Sequence, residues 1–417
     1  MIISQYFKHK ETIHSFIWRS LQIFGKQGIT FLIFILCAKL LTPYDFGIYN
    51  YILTITFILA IFSDFGISTA TSKYVAEYNV IDKEKLKSVL FNSGIIIIFL
   101  TTAISLAVLF FGKVYFGEEY NYVLYLLPLV FFIPISSLYD GIYRGLKKFK
   151  FIAIVSIIVG LISLSFIYIL INQYGLIGAL ISQNLFYFLL VIALAFGYRD
   201  FNFKINKDII KKIGKYSLVI GIGSIGWIIY SRIDILFLGH YGFIEEIGYY
   251  EILNKILMIF LTPFLIISQV ISPNITQHFI KRNYEAIKIK FKKYLLLSFI
   301  LSILIVFFIF FTNRYLISNF LNEYDVPEMY LILNLMLIIF FTQMLNGIIP
   351  LGFVNATGHA KLSTYFLVFF GIIHVILNYI LLNWYGFIGI IYSIVLTKCT
   401  ADLVFIYAYH KILSKLK

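Results

Sequence analysis

Long runs of apolar residues without a single charge constrain this chain more than any other feature of its sequence. Three such runs cover residues 88–112, 294–313 and 329–358. An α-helix rises 1.5 Å per residue, so about 20 apolar residues cross the roughly 30 Å hydrocarbon core of a bilayer. Each run is therefore long enough to form one membrane-spanning helix.

Two further apolar runs, residues 151–198 and 362–397, are about twice that length. Each must fold back on itself, and a polar turn lies midway in each, at residues 172–175 (NQYG) and 383–386 (NWYG). Five more apolar runs, interrupted by single charges, bring the prediction to twelve spans. These five runs are residues 14–40, 46–72, 120–143, 215–240 and 247–273.

The charge distribution supports this span count. The chain is 61% hydrophobic and only 13% charged, whereas soluble proteins are nearer half apolar and a quarter charged. If the N-terminus is cytoplasmic, most of the 34 lysines and arginines fall in cytoplasmic segments, and external segments hold only Lys39, Lys113 and Arg314. We expect a multi-pass protein of the cell (cytoplasmic) membrane with both termini cytoplasmic. No nucleic acid is expected as a partner, because the basic residues form no soluble patch.

The first apolar stretch is too long for a cleavable leader and contains Arg19 and Lys26, so we expect it to remain as the first span. The loops are short and carry no glycine-rich phosphate loop, nucleophile elbow or metal-ligand spacing. Cys37 and Cys399 lie inside apolar runs. These features predict a protein that is not an enzyme and holds no cofactor or metal.

The sequence contains an internal duplication. Residues 168–178 read YILINQYGLIG and residues 379–389 read YILLNWYGFIG, with eight identities in eleven positions. The duplication predicts an all-α protein with two six-helix lobes, residues 1–200 and 201–417, related by a pseudo-twofold axis along the membrane normal. Transporters built from parallel repeats have this arrangement, with a substrate cleft between lobes that rock to give alternating access.

Several short motifs occur at defined positions relative to the predicted spans. They are LTPYDFGIY at 41–49, SDFG at 63–66, RID at 232–234 with Gly239, GYY at 248–250, and NATG at 355–358 with Lys361. With this set the chain resembles, over nearly its whole length, the Wzx-like oligosaccharide flippases of polysaccharide and O-antigen export. Their superfamily also contains the multidrug and toxin extruders (MATE) and the lipid II flippases.

The resemblance implies a MATE-like fold and a flippase for polyprenyl-(pyro)phosphate-linked oligosaccharide. Such a protein moves its cargo from the cytoplasmic to the outer face of the membrane for cell-surface polysaccharide or glycan biosynthesis. The partners implied are the lipid-linked oligosaccharide, membrane lipids, and glycosyltransferases or a polymerase of the same pathway.

Ionisable residues inside a bilayer are costly and are therefore candidates for function. We expect Lys26, Arg232, Lys255 and Arg19 to line the cleft and bind the phosphate of the cargo. Asp64, Asp140 and Asp234 are candidates for coupling to H⁺ or Na⁺.

Several of these ionisable residues also have a purely structural interpretation. Glu251 and Lys255, and likewise Lys398 and Asp402, are four residues apart and can neutralise each other on one helix face. Arg232 and Asp234 are two apart and point to different faces, so Arg232 is predicted to be unpaired. His374 is expected to be a hydrogen-bonded core histidine rather than a proton relay.

Three other functions compete with the flippase. An ion-coupled multidrug or organic-cation exporter would need buried acids, whereas the deep groups read from the sequence are mostly basic. A membrane glycosyltransferase or polymerase would need an acidic cluster on a large external loop, but the loop that holds Glu118 and Glu119 is short. An unrelated twelve-span facilitator would need a basic, glycine-led loop after the second span, which residues 83–87 do not form. The sequence favours the flippase.

Overall fold

A computed structural model describes Trp18, Leu21, Gln22, Gly25 and residues 27–198 and 202–416, with the backbone alone at Phe320. Nearly all of these residues are helical, and none of them lies in a strand. The α-helices are α1 (Gln27–Leu40), α2 (Pro43–Asp64), α3 (Ile67–Ile81), α4 (Lys83–Phe116), α5 (Tyr120–Leu126), α6 (Leu129–Gly145), α7 (Phe149–Phe196), α8 (Lys207–His240), α9 (Ile244–Ile280), α10 (Tyr284–Phe320), α11 (Pro327–Asn346), α12 (Ala360–Tyr385) and α13 (Phe387–Lys415). A π-helical segment, Pro350–Asn355, follows α11.

Among the described helices, nine stretches are long and apolar enough to cross a membrane. One of them is α7, whose 48 residues form two arms. Outside the nine are α1, a shorter apolar helix, and α6, a helix of 17 residues. Counting both arms of α7 and adding α1 and α6 gives the twelve predicted spans. The prediction of an all-α polytopic protein is confirmed.

The second predicted span, residues 46–72, is not one continuous helix. Helix α2 ends at Asp64, and α3 begins at Ile67 after a break at Phe65 and Gly66. Hydropathy does not report this break, because the residues on both sides of it are equally compatible with an apolar surrounding.

Both predicted polar turns are present, and they share one backbone conformation. Gly175 has φ 55° and ψ −130°, and Gly386 has φ 61° and ψ −143°. This region is open to glycine and strained for residues with a Cβ. Each double-length apolar run therefore turns back at its glycine.

A second pair of glycines marks the same duplication. An added Cβ at Gly178 would lie 2.0 Å from the carbonyl oxygen of Leu170, and one at Gly389 would lie 2.0 Å from that of Leu381. In both hairpins the second arm thus packs directly against the backbone of the first arm. The two halves of the sequence repeat the packing as well as the residues.

The chain forms two compact units, Met1–Ile225 and Gly226–Lys417, and the division falls within α8. In the first unit α6 packs against α2, α3, α4 and α7, and the Tyr74 hydroxyl donates to the Lys212 carbonyl at the start of α8 (3.3 Å). In the second unit α13 packs against α11 and α12. The predicted lobe boundary between residues 200 and 201 lies outside the described residues and stays a prediction.

Candidate functional site

Asp234, on α8 in the second unit, has a completely buried side chain. The hydroxyl of Tyr250 on α9 donates a 2.6 Å hydrogen bond to its Oδ2, and the ammonium of Lys398 on α13 lies 4.0 Å from the same oxygen. A buried carboxylate is strongly destabilising unless it is paired and hydrogen-bonded. The hydroxyl and the ammonium meet that requirement, so three helices meet at one acidic group.

A second charged group lies close to the first on α8 and α9. Nη1 of Arg232 is 2.9 Å from Oε1 of Glu251, whose side chain is only 8% exposed, whereas the Arg232 side chain is 35% exposed. Lys255, one turn further along α9, interacts electrostatically with the same carboxylate, as its spacing from Glu251 predicted. The buried carboxylate of Glu251 therefore interacts with two cations, Arg232 and Lys255.

These contacts change two predictions about charge pairs. The prediction that Arg232 is unpaired is wrong, because Glu251 on the neighbouring helix forms an ion pair with it. Lys398 interacts electrostatically with Asp402, as its spacing predicted, but its ammonium also lies within ion-pair distance of Asp234. Sequence spacing finds partners on one helix, whereas the pairs with Glu251 and Asp234 join different helices.

His374 and Asn378 lie on α12 and are completely buried. Neither ring nitrogen of His374 and neither amide atom of Asn378 makes a hydrogen bond of standard geometry within the described residues. Asp234 and Lys398 interact electrostatically with His374. The expectation of a core histidine is confirmed in its burial but not in its hydrogen bonding.

Asp402 on α13 is a further buried carboxylate of the second unit. Its Oδ1 accepts a 2.8 Å hydrogen bond from the Asn346 amide, while its Oδ2 is buried without a hydrogen bond from the described residues. It borders a cavity of about 170 Å³ whose walls include the rings of Tyr230, Phe366 and Phe405. An acidic group beside aromatic rings is a chemically suitable environment for a cation.

In the first unit, Asp140 on α6 is held by two partners. Gln22 donates a 2.8 Å hydrogen bond to Oδ1, and Nε of Arg144 lies 2.8 Å from Oδ2. The carboxylate borders a cavity of about 300 Å³ between α1, α6 and both arms of α7. The first unit therefore contains a polar cavity with a fixed carboxylate in its wall.

Asp64 lies at the end of α2 and accepts hydrogen bonds from the backbone (3.0 Å) and the hydroxyl of Ser68. Arg144, the ion-pair partner of Asp140, also interacts electrostatically with Asp64, so these two carboxylates of the first unit share one cation. Asp234 belongs to the second unit. The roles of these three carboxylates in ion coupling stay predictions.

Arg19 and Lys26 lie outside the described residues, so their predicted place at the cargo is not tested. The cargo-binding roles of Arg232 and Lys255 also stay predictions. Sequence reasoning missed the contacts of Tyr250 and of Gln22, because each contact joins two different helices and no spacing along the chain predicts it.

Comparison with known families decides the class of the protein. The model of the family described as polysaccharide biosynthesis protein matches residues 13–279, more than half of the chain. The chain belongs to this family. The MatE family model matches residues 220–380.

A curated relative spans nearly the same length as this member of the polysaccharide biosynthesis family. It is an uncharacterized membrane protein of Methanocaldococcus jannaschii, 24% identical over 410 residues, which cover 93% of this chain and 95% of the relative.

Solved structures share the fold. A MATE-family multidrug resistance transporter of the MOP superfamily, in an inward-facing conformation, matches with a TM-score of 0.76, 18% identity, and coverage of 96% of this chain and 98% of that one. Lipid II flippase MurJ, in an inward closed conformation, matches with a TM-score of 0.76, 16% identity, and coverage of 94% and 87%. The predicted MATE-like fold is confirmed, and the protein is a multi-pass membrane protein.

A MOP-superfamily transporter from Pyrococcus furiosus also matches, with a TM-score of 0.59, 18% identity, and coverage of 98% of this chain and 96% of that one. That protein is described as having a binding pocket of reversed polarity that suggests a different function. Proteins of this fold therefore differ in the charge of their binding pockets, and function must be argued from the residues.

Proposed function

We propose that this protein is a flippase that moves a polyprenyl-(pyro)phosphate-linked oligosaccharide from the cytoplasmic to the outer face of the cell membrane by alternating access. It would serve cell-surface polysaccharide or glycan biosynthesis. The observation that carries this proposal is the match of residues 13–279 to the polysaccharide biosynthesis family. The fold shared with a lipid II flippase supports it.

The chemistry of such a cargo explains why it needs a protein. Each sugar hydroxyl buried without a partner in hydrocarbon costs several kcal/mol, about 4 or more, and the phosphate adds charge. The lipid tail is apolar and can stay in the hydrocarbon core without this cost. A flippase must therefore offer polar contacts to the head of the cargo while its tail remains in the bilayer.

Arg232 and Lys255 are the described candidates for binding the phosphate. The ion pair with Glu251 uses Nη1 of Arg232, and the guanidinium has further N–H groups on a side chain that is 35% exposed. A phosphate could therefore bind Arg232 while Glu251 holds it in place, through charge-assisted hydrogen bonds. Arg19 and Lys26 remain proposed contributors from the first span, and coupling to H⁺ or Na⁺ through Asp64, Asp140 or Asp234 is the proposed energy source.

The second candidate function is ion-coupled export of multidrug-type organic cations. The MatE match over residues 220–380 favours it. The structure also buries Asp234, Glu251 and Asp402 in the second unit, which removes the sequence argument that the deep charges there are mostly basic. The aromatic cavity beside Asp402 is the feature most suited to an organic cation.

A transport assay separates the two candidates. The full chain is reconstituted into vesicles that contain either a fluorescent polyprenyl pyrophosphate oligosaccharide or a cationic dye under an imposed H⁺ or Na⁺ gradient. We expect the protein to expose the glycolipid to a membrane-impermeant quencher and to leave the dye distribution unchanged.

Lys255→Gln should slow glycolipid flipping, whereas the exposed Lys293→Gln is the matched control and should not. Dye export without glycolipid flipping would overturn the proposal and establish the second candidate.

A further inference from the structure

The cavity of about 300 Å³ in the first unit has an unusual lining for a site among membrane-spanning helices. Apart from an aliphatic wall, it is formed by side chains that carry hydroxyl or amide groups, together with one carboxylate. The polar lining residues are Gln22, Gln27, Thr30, Ser136, Ser137, Asp140 and Ser156. Gln22, Thr30 and Ser136 already donate hydrogen bonds within the protein, and a polar ligand can use the donor and acceptor positions of the lining that remain.

The charges of the described lining residues favour an uncharged ligand. Asp140 is the carboxylate among them, and Arg144 lies 2.8 Å from its Oδ2, so this carboxylate is already compensated. An anion would meet this carboxylate, and a cation would have to compete with Arg144 for it. Because a carboxylate has about four acceptor positions, Asp140 can still accept hydrogen bonds after Gln22 has bound Oδ1. The cavity is therefore matched to an uncharged ligand that is rich in hydroxyl groups.

The size and shape of the cavity fit a single sugar ring. A volume of about 300 Å³ is at the lower end of small-molecule sites and corresponds to roughly ten water molecules. Ile152, Leu190 and Leu194 form the aliphatic part of the wall. A pyranose has the same two kinds of surface, since its C–H groups are apolar and its ring edge carries hydroxyls.

The cavity lies at the end of the unit where cargo would be loaded. Ser136 and Asp140 are in the last turns of α6, which ends at Gly145, and Ser156 is within two turns of the start of α7. The connection between these helices holds Lys147 and Lys148 and is predicted to be cytoplasmic.

We propose that this cavity binds one uncharged sugar unit of the lipid-linked saccharide at the cytoplasmic side of the protein. The inference rests on the proposed function. It makes Asp140 a cargo contact instead of a coupling residue.

Binding measurements on the full-length protein in lipid nanodiscs test this site. The probes are polyprenyl pyrophosphates that bear glucose, galactose, mannose or N-acetylglucosamine, the same carrier without sugar, and the free methyl glycosides. The variants are Gln27→Ala/Ser156→Ala and, as a second route, Ser137→Ala. The matched control is Ser163→Ala, because Ser163 lies seven residues beyond Ser156 on α7, is buried, and uses its hydroxyl on the Val159 carbonyl.

The wild-type protein should bind at least one sugar-bearing carrier about tenfold or more tightly than the bare carrier. Each lost hydrogen bond should lower that preference roughly fivefold, with no change in affinity for the bare carrier and no effect of Ser163→Ala. Equal binding of all carriers by the wild type would overturn the site, as would equal weakening of sugar-bearing and bare carriers in the variants.

The flipping assay distinguishes a failure of the sugar site from a failure of the proposed function. Flipping that persists without any sugar preference would overturn the sugar site alone. A sugar preference retained in a protein that flips no glycolipid would support the site and overturn the proposed function.

Discussion

The hydroxyl of Tyr250 on α9 donates a 2.6 Å hydrogen bond to Oδ2 of Asp234 on α8, and both side chains are buried almost completely. Tyr250→Phe removes this bond and leaves Lys398, 4.0 Å away, as the remaining partner of that oxygen among the described residues. Hydrogen bonds to charged groups contribute about 1.5–3 kcal/mol. We expect Tyr250→Phe to lower the free energy of unfolding by about 2 kcal/mol, measured by thermal unfolding in detergent.

A double-mutant cycle with Asp234→Asn isolates this contact. The two changes should be strongly non-additive, and Tyr379→Phe, whose side chain is 58% exposed, should have little effect. Additive effects of the two changes would show that the Tyr250 hydroxyl contributes to stability independently of Asp234.

The Arg232–Glu251 ion pair predicts that single and double neutralisations differ. Arg232→Gln leaves the Glu251 carboxylate buried with Lys255 as its remaining charged neighbour, and this loss should cost about 3 kcal/mol. Arg232→Gln/Glu251→Gln removes both charges and should recover most of that stability. If Arg232 binds the phosphate of the cargo, the double variant should be stable and still fail to flip glycolipid, as measured by quencher accessibility in vesicles.

The exposed Arg314→Gln is the control for loss of one positive charge, and it should retain both stability and flipping. Full flipping by the stable double variant would restrict Arg232 to a structural role.

Asp82 caps α4, and its side chain accepts 3.1 Å hydrogen bonds from the backbone N–H groups of Glu84 and Lys85. These bonds, the one from Lys85 above all, lower the pKa of Asp82 below its ordinary value. Because the pKa of Asp82 is lower in the folded state, the cap stabilises the helix fully at pH values above the pKa of Asp82 in the unfolded chain, about 3.9. This stabilisation is lost as the pH falls through the pKa of Asp82 in the folded protein.

The protection factor against hydrogen exchange at the start of α4 should therefore be high at neutral pH and fall only below about pH 4. Asp82→Ala should lower this protection factor at every pH, and Asp82→Asn, which keeps an acceptor oxygen, should keep it high and independent of pH in this range. A pH dependence that persists in Asp82→Asn would assign the titration to another group.

The sequence predicts the number of spans well because an uncharged run of 20 residues has few alternatives to crossing the bilayer. It predicts helix ends less well, since hydropathy shows which residues lie in the hydrocarbon core but not how far a helix continues beyond it. Helix α8 begins at Lys207 rather than at the predicted residue 215, and α9 continues to Ile280 beyond the predicted residue 273. Both extensions contain polar or charged residues that form helix outside the apolar layer.

The charge pairs were less predictable for a different reason. Glu251 and Lys255 were found because a spacing of four puts them on one helix face. Glu251 and Arg232 are 19 residues apart on two helices, and the ammonium of Lys398 on α13 lies 4.0 Å from Asp234 on α8. Only tertiary structure brings these residues together, so the sequence identified the charged residues but not their partners on other helices.

The paired glycines Gly178 and Gly389 allow a test of the structural repeat. An added Cβ at either position would lie 2.0 Å from a backbone carbonyl oxygen of the preceding arm, and backbone cannot move aside as a side chain can. We expect Gly178→Ala and Gly389→Ala each to destabilise the protein by about 3 kcal/mol or more, seen as similar losses of thermal stability in detergent.

Gly94→Ala is the control, because a Cβ at Gly94 on α4 meets nothing within 4 Å. This change should be neutral or slightly stabilising, since alanine favours helix by up to about 1 kcal/mol. If only one of the two hairpin glycines tolerated alanine, the duplicated sequence would not correspond to duplicated packing.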